Sequence, residues 1–127
     1  MDEAWTARAF LLVALGGALG SALRYAANLS LHRVDHGWGT LAVNVLGSFA
    51  IALLVFGPVA AGRMGADVRL LLATGILGGF TTMSGFALEV MAYLDRGEGA
   101  RAAAWALLMT GGSLGAAVAG RQLAIAS

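Results

Sequence analysis

Cysteine and lysine are both missing from the 127 residues, and proline occurs once. Without cysteine there is no disulfide and no thiolate metal site. Charge is scarce as well: 12% of the residues are charged, against about 25% in soluble domains. The formal net charge of +1 provides no field for nucleic acid, so none is expected as a partner. No nucleophile–base pair, phosphate loop or zinc-binding histidine pattern occurs, and nothing points to an enzyme. His32 and His36 stand four apart in a charged loop with Arg33 and Asp35, with no thiolate partner, and they read as solvated loop residues. The first residues include Asp2 and Glu3 in place of a basic region. The apolar stretch after them is long enough to span a bilayer, so it reads as a membrane helix and not as a cleavable signal.

What fills the chain is apolar surface. Hydrophobic residues make up 59%, and the mean hydropathy is +0.81. A soluble chain this short has too little interior to hide so much; lipid covers it instead. A span needs about 20 mostly apolar residues, and four such stretches are present, at about 5–29, 38–60, 69–94 and 100–125. Charged and turn-forming residues separate them. The expected architecture is an all-α membrane protein, a single four-helix transmembrane domain over residues 1–127 with short loops.

Glycine recurs inside the spans at intervals of four: Gly16 and Gly20, Gly75 and Gly79, Gly111 and Gly115. Small residues so spaced let helix backbones approach closely in lipid. Arginine placement gives the topology. With four spans, one side carries Arg8, Arg63, Arg69 and Arg121, and the other carries Arg24, Arg33, Arg96 and Arg101. Such a balance leaves the positive-inside rule with almost no preferred orientation. A chain that inserts both ways is able to pair as an antiparallel dimer.

Polar residues within a membrane are the informative ones. In the second span Thr40, Asn44, Gly47 and Ser48 share a helical face. In the third, Gly75, Gly78 and Gly79 precede Thr81, Thr82, Met83, Ser84 and Gly85, a poor sequence for a continuous helix. The apolar runs on either side are each about half a membrane long, which predicts a helix broken at mid-membrane. Breaks of this kind expose backbone groups to an ion or substrate. Thr110 and Ser113 in the fourth span add hydroxyls that line a polar track or bond back to their own helix. Glu89 is the one carboxylate well inside a span, near an expected aqueous vestibule. Arg24 is its basic counterpart near the end of the first span.

Three segments carry a family resemblance. They are Gly16-Gly17-Ala18-Leu19-Gly20-Ser21-Ala22-Leu23-Arg24-Tyr25, Gly39-Thr40-Leu41-Ala42-Val43-Asn44-Val45-Leu46-Gly47-Ser48-Phe49, and Gly75-Ile76-Leu77-Gly78-Gly79-Phe80-Thr81-Thr82-Met83-Ser84-Gly85-Phe86. In order and spacing they resemble the Fluc (CrcB) family of bacterial fluoride channels over nearly the whole chain. The resemblance implies a dual-topology homodimer with two antiparallel pores. It also implies a structural sodium ion at the dimer interface, held by backbone carbonyls; the matching positions are Gly78 and Thr81. A hard cation prefers such oxygen ligands. The ion pathway it implies runs past Asn44 and Phe86, with Ser84, Thr110 and Ser113 as further polar contacts. The family motif Thr-Thr-Phe-Ser-Thr-Phe is altered here: Met83 stands where its first phenylalanine would be, and Gly85 replaces its second-half threonine.

The function so implied is passive, selective export of fluoride across the bacterial plasma (inner) membrane by a multi-pass protein, relieving fluoride toxicity. The rival reading is a small four-helix multidrug or guanidinium antiporter. That mechanism needs an acidic residue deep in a span, and the first span has none.

Overall fold

In the computed structural model, residues 5–31 and 37–127 are described, and no strand occurs among them. His32 and His36 lie outside the described residues. Four helices are long and apolar enough to cross a membrane: Ala7–Leu31, Trp38–Val59, Ala66–Asp95 and Gly99–Ala126. In hydrocarbon every backbone N–H and C=O needs an internal partner, and a helix supplies these along its own length. The helices reach one to three residues past some of the limits the hydropathy pattern suggests. We label them α1 (Ala7–Leu31), α2 (Trp38–Val59), α3 (residues 66–80), α4 (Met83–Asp95) and α5 (Gly99–Ala126); α3 and α4 together make the third span.

Packing is closest between α2 and α5 and between α1 and α3. Glycines set both approaches. On α1, Gly16 and Gly20 are buried. A Cβ on Gly16 would stand 2.9 Å from the Gly75 Cα, and one on Gly20 would collide with the Ile76 carbonyl. From the other side, a Cβ on Gly79 would stand 2.6 Å from the Gly17 oxygen. Two of the three glycine pairs therefore face each other across one crossing. Gly111 and Gly115 behave differently, with nothing within 4 Å of an added Cβ. In the α2–α5 crossing the close approach falls to Gly120 against the Phe49 carbonyl. Around that crossing Val43, Ala102, Trp105 and Met109 are buried, with Thr40 as a buried polar residue. Large apolar side chains such as Phe10, Leu19, Leu88, Leu107 and Leu114 point outward, as a lipid-facing surface requires.

Two helical stretches are widened. Residues Val55–Val59 of α2 form a π turn around Pro58, with Gly57 at φ −98°, ψ −105°. Proline has no N–H to donate and its ring crowds the turn before it, so the ladder opens. Residues Leu70–Leu77 of α3 are π-helical as well, along the face that meets α1. The turns that end α2 and α4 share one construction. Gly62 (φ 67°) and Gly97 (φ 73°) take left-handed angles, and the next residue donates back across the helix end, Arg63 to the Pro58 carbonyl at 2.9 Å and Glu98 to the Tyr93 carbonyl at 2.9 Å. Glycine adopts that conformation without a Cβ penalty.

Candidate functional site

Between α3 and α4 two residues leave helical geometry. Thr81 has φ −85°, ψ 157° and Thr82 has φ −151°, ψ 120°. Both are extended, so the helical ladder is broken around them, and several of the freed backbone groups find side-chain partners. The Asn44 amide of α2 grips the Thr82 peptide on both sides: Thr82 N–H donates to Asn44 Oδ1 at 2.8 Å, and Asn44 Nδ2 donates to the Thr82 carbonyl at 2.9 Å. The Thr82 hydroxyl accepts from Gly85 N–H at 3.1 Å, an N-cap that restarts the helix as α4. Thr81 Oγ1 bonds back to the Leu77 carbonyl at 3.1 Å. Gly47 leaves the space that the Thr81 methyl occupies, since a Cβ there would collide with Thr81 Cγ2.

Arg24 lies in the C-terminal third of α1, which ends at Leu31. Its guanidinium reaches the interruption, where Nη1 donates to the Thr81 carbonyl at 3.0 Å. Glu89 is held by α5: Trp105 Nε1 donates to its Oε2 at 2.9 Å. Trp105 in turn meets Trp38 edge to face, with ring centroids 5.5 Å apart.

The interruption opens onto a cleft of about 330 Å³ between α2, the α3–α4 junction and α5. Asn44, Thr82, Met83, Thr110 and Ser113 are among its lining residues. The hydrogen-bonding groups on this wall are neutral, and such a wall stabilises an anion by partial charges without trapping it. A model of the CrcB-like protein, Camphor Resistance (CrcB), family matches residues 11–121. The chain belongs to this CrcB-like family.

Curated relatives agree along nearly the same length. A Fluoride-specific ion channel FluC of Rhizobium leguminosarum bv. trifolii (strain WSM2304) is 47% identical over 115 residues, covering 87% of this chain and 90% of the relative. One of Chelativorans sp. (strain BNC1) is 44% identical over 117 residues, 90% and 94% of the two chains. One of Paracoccus denitrificans (strain Pd 1222) is 48% identical over 113 residues, 87% and 90%. With four helices long and apolar enough to cross a membrane, this CrcB-like chain is a multi-pass membrane protein.

Within this CrcB-like fold the expected pathway residues separate into two groups. Asn44, Met83, Thr110 and Ser113 share the cleft. Ser84 and Phe86 are not among its lining residues; Ser84 Oγ lies 3.2 Å from the Thr82 hydroxyl, and Phe86 is half-buried on the first turn of α4. Met83 is 76% exposed in the single chain. Sequence reasoning passed over Met109. It lines the cleft, is buried, and places its Sδ 3.4 Å from Asn44 Nδ2. The signal was its spacing: Trp105, Met109 and Ser113 recur every four residues along one face of α5.

Proposed function

We propose that this chain is a passive fluoride channel that lets the anion leave the bacterial cytoplasm across the plasma (inner) membrane, relieving fluoride toxicity. The observation that carries this reading is the Asn44-stapled interruption of the third span, opening on a cleft of neutral donors, in a chain 44–48% identical to fluoride-specific channels over most of its length. Neutral donors in series suit a small anion that must bind and leave. The antiporter reading is not favoured. α1 has no Asp or Glu along Ala7–Leu31, so the acidic exchanger that mechanism requires in the first span is missing.

The pathway runs beside Asn44 and Phe86, with Met83 in the first ring position and Ser84, Thr110 and Ser113 as polar contacts. The working unit is an antiparallel homodimer, with the third span broken at mid-membrane in each chain. The 76% exposure of Met83 supports this, because a second copy would cover it and complete the path.

A sodium ion between the two copies fits the donor set. The amide that would complete the helical bond to the Gly78 carbonyl, that of Thr82, is turned to Asn44. The one that would serve the Thr81 carbonyl, that of Gly85, is turned to Thr82 Oγ1. Both carbonyls are thereby released from the helix ladder, and each oxygen has two lone pairs. Gly78 and Thr81 of each copy would hold the ion, which would neutralise their partial charge and tie the two interruptions together. Arg24 already donates to the Thr81 oxygen. A cation there competes with it, so the guanidinium is expected to withdraw where sodium binds.

The test is fluoride efflux from liposomes containing the purified protein, read with a fluoride electrode against a chloride control. Rapid fluoride loss without chloride loss is expected. Proton-driven cation uptake in its place would turn the reading to the antiporter, and no ion flux of either kind would leave the fold without this function.

A further inference from the structure

The Asn44 amide has two N–H groups, and they have unequal partners. One donates to the Thr82 carbonyl at 2.9 Å as part of the two-sided grip on that peptide. The other donates to the thioether of Met109, with nitrogen and sulfur 3.4 Å apart. The first is part of the scaffold, because releasing it would leave an extended peptide unpaired between two helices. The second is not. Sulfur is a weak acceptor, and this N–H lies on the cleft side, where Met109, Thr110 and Ser113 also line the wall. Met109 itself is 3% exposed, so the contact is dry as well as weak.

We propose that Met109 is a specificity-determining residue of the anion path, holding the cleft-side N–H of Asn44 in a bond that fluoride can displace. This rests on the fluoride-channel reading of the same cleft. The physical reason is relative acceptor strength. An anion accepts a hydrogen bond about twice as strongly as a neutral group, and a thioether falls below an ordinary neutral acceptor. Fluoride is small and concentrates its charge, so it takes the N–H from sulfur; chloride, larger and more diffuse, gains less from the exchange. A carbonyl at this place would hold the N–H against both. A bare hydrocarbon would leave it open, raising affinity and slowing departure. The thioether lies between these limits, and it fills the same volume as leucine or glutamine with little change in length.

The experiment is fluoride efflux from liposomes over a range of fluoride concentrations, for the full-length wild type, Met109→Leu and Met109→Gln, with size-exclusion profiles to show that each variant folds. Met109→Gln should raise the half-saturating fluoride concentration by about fivefold, the ratio that one ordinary hydrogen bond commands. Met109→Leu should move it in the opposite direction and lower the maximal rate. A packing role alone would change the maximal rate in both variants and leave half-saturation unmoved, and that result overturns the proposal. If the glutamine variant does not fold, the leucine variant decides by the same criterion. Wild-type protein that passes no fluoride would overturn the channel reading itself, a failure distinct from wild-type flux with unshifted variants.

Discussion

A single amide, that of Asn44, satisfies both backbone groups of Thr82, and this sets what substitution there must do. Asn44→Asp keeps the acceptor for Thr82 N–H but loses the donor to its carbonyl and brings a negative charge into the cleft. An orphaned carbonyl costs about 1–3 kcal/mol, and the charge repels the anion. Fluoride flux in the liposome assay is expected to fall to near background, with a lower thermal midpoint. Phe86→Ile retains apolar bulk and removes the positive ring edge; flux should drop sharply while the protein still elutes as wild type. Normal conduction by both variants would refute the pathway assignment without touching the family assignment. Met83→Phe restores the ring that the family motif carries and is expected to retain or raise flux. Met83 is largely exposed in the single chain, so the larger ring has room within it.

The helical elements owe their spacing to glycine. Gly20 lies directly against the Ile76 carbonyl, whereas a Cβ on Gly17 would meet nothing within 4 Å. Gly20→Ala therefore forces α1 and α3 apart against rigid backbone, at about 1–3 kcal/mol or more, and Gly17→Ala should be tolerated. Thermal unfolding in detergent checks this; equal midpoints for the two variants would mean that the α1–α3 crossing yields to an added methyl. The turn between α4 and α5 makes a pH prediction. Glu98 accepts from Arg96 at 2.9 Å and from Arg101 at 3.0 Å. The hydrogen bond from Arg96 is the largest influence holding its carboxyl below the usual glutamate value, with Arg101 adding to it. A carboxylate with a lowered pKa stabilises the fold above its unfolded value, and the contribution is lost as pH falls through the lowered one. Because both arginines are exposed and Glu98 is only partly covered, the effect on stability is small. Carboxyl NMR should show it titrating below an ordinary glutamate, and Arg96→Ala should bring it back up.

At the scale of the whole molecule, orientation is decided by a few arginines. Arg24 is engaged with the Thr81 carbonyl at the helix interruption, so it does not count with the loop charges. That leaves Arg33, Arg96 and Arg101 opposite Arg8, Arg63, Arg69 and Arg121, still close to balance. Reporter fusions at the C-terminus are predicted to fall on both sides of the membrane, and a single location would exclude the antiparallel dimer. Two arginines added to the turn around Gly97 should drive insertion to one orientation, since orientation follows basic residues in short loops. Flux should then fall with the loss of opposite partners, unless an oppositely biased copy is supplied.

Hydropathy alone was enough for four spans, because burying apolar residues in lipid is a property of composition and length. The glycine- and hydroxyl-rich run at Gly78–Gly85 was also legible as a place where helix propensity fails. Three things were not legible. One was which glycines meet: Gly16, Gly20, Gly75 and Gly79 pack together while Gly111 and Gly115 face outward, although all three pairs have the same spacing. Another was the reach of Arg24, a long side chain whose partner is a backbone oxygen 57 residues away. The last was Met109, an apolar residue by composition that becomes part of a polar site only because α5 sets its sulfur beside Asn44. Local sequence encodes propensity and hydrophobicity, and these determine where helices begin, weaken and end. Which backbone atoms each helix presents to its neighbours depends on crossing angle and rotation, and those are decided only when the helices pack.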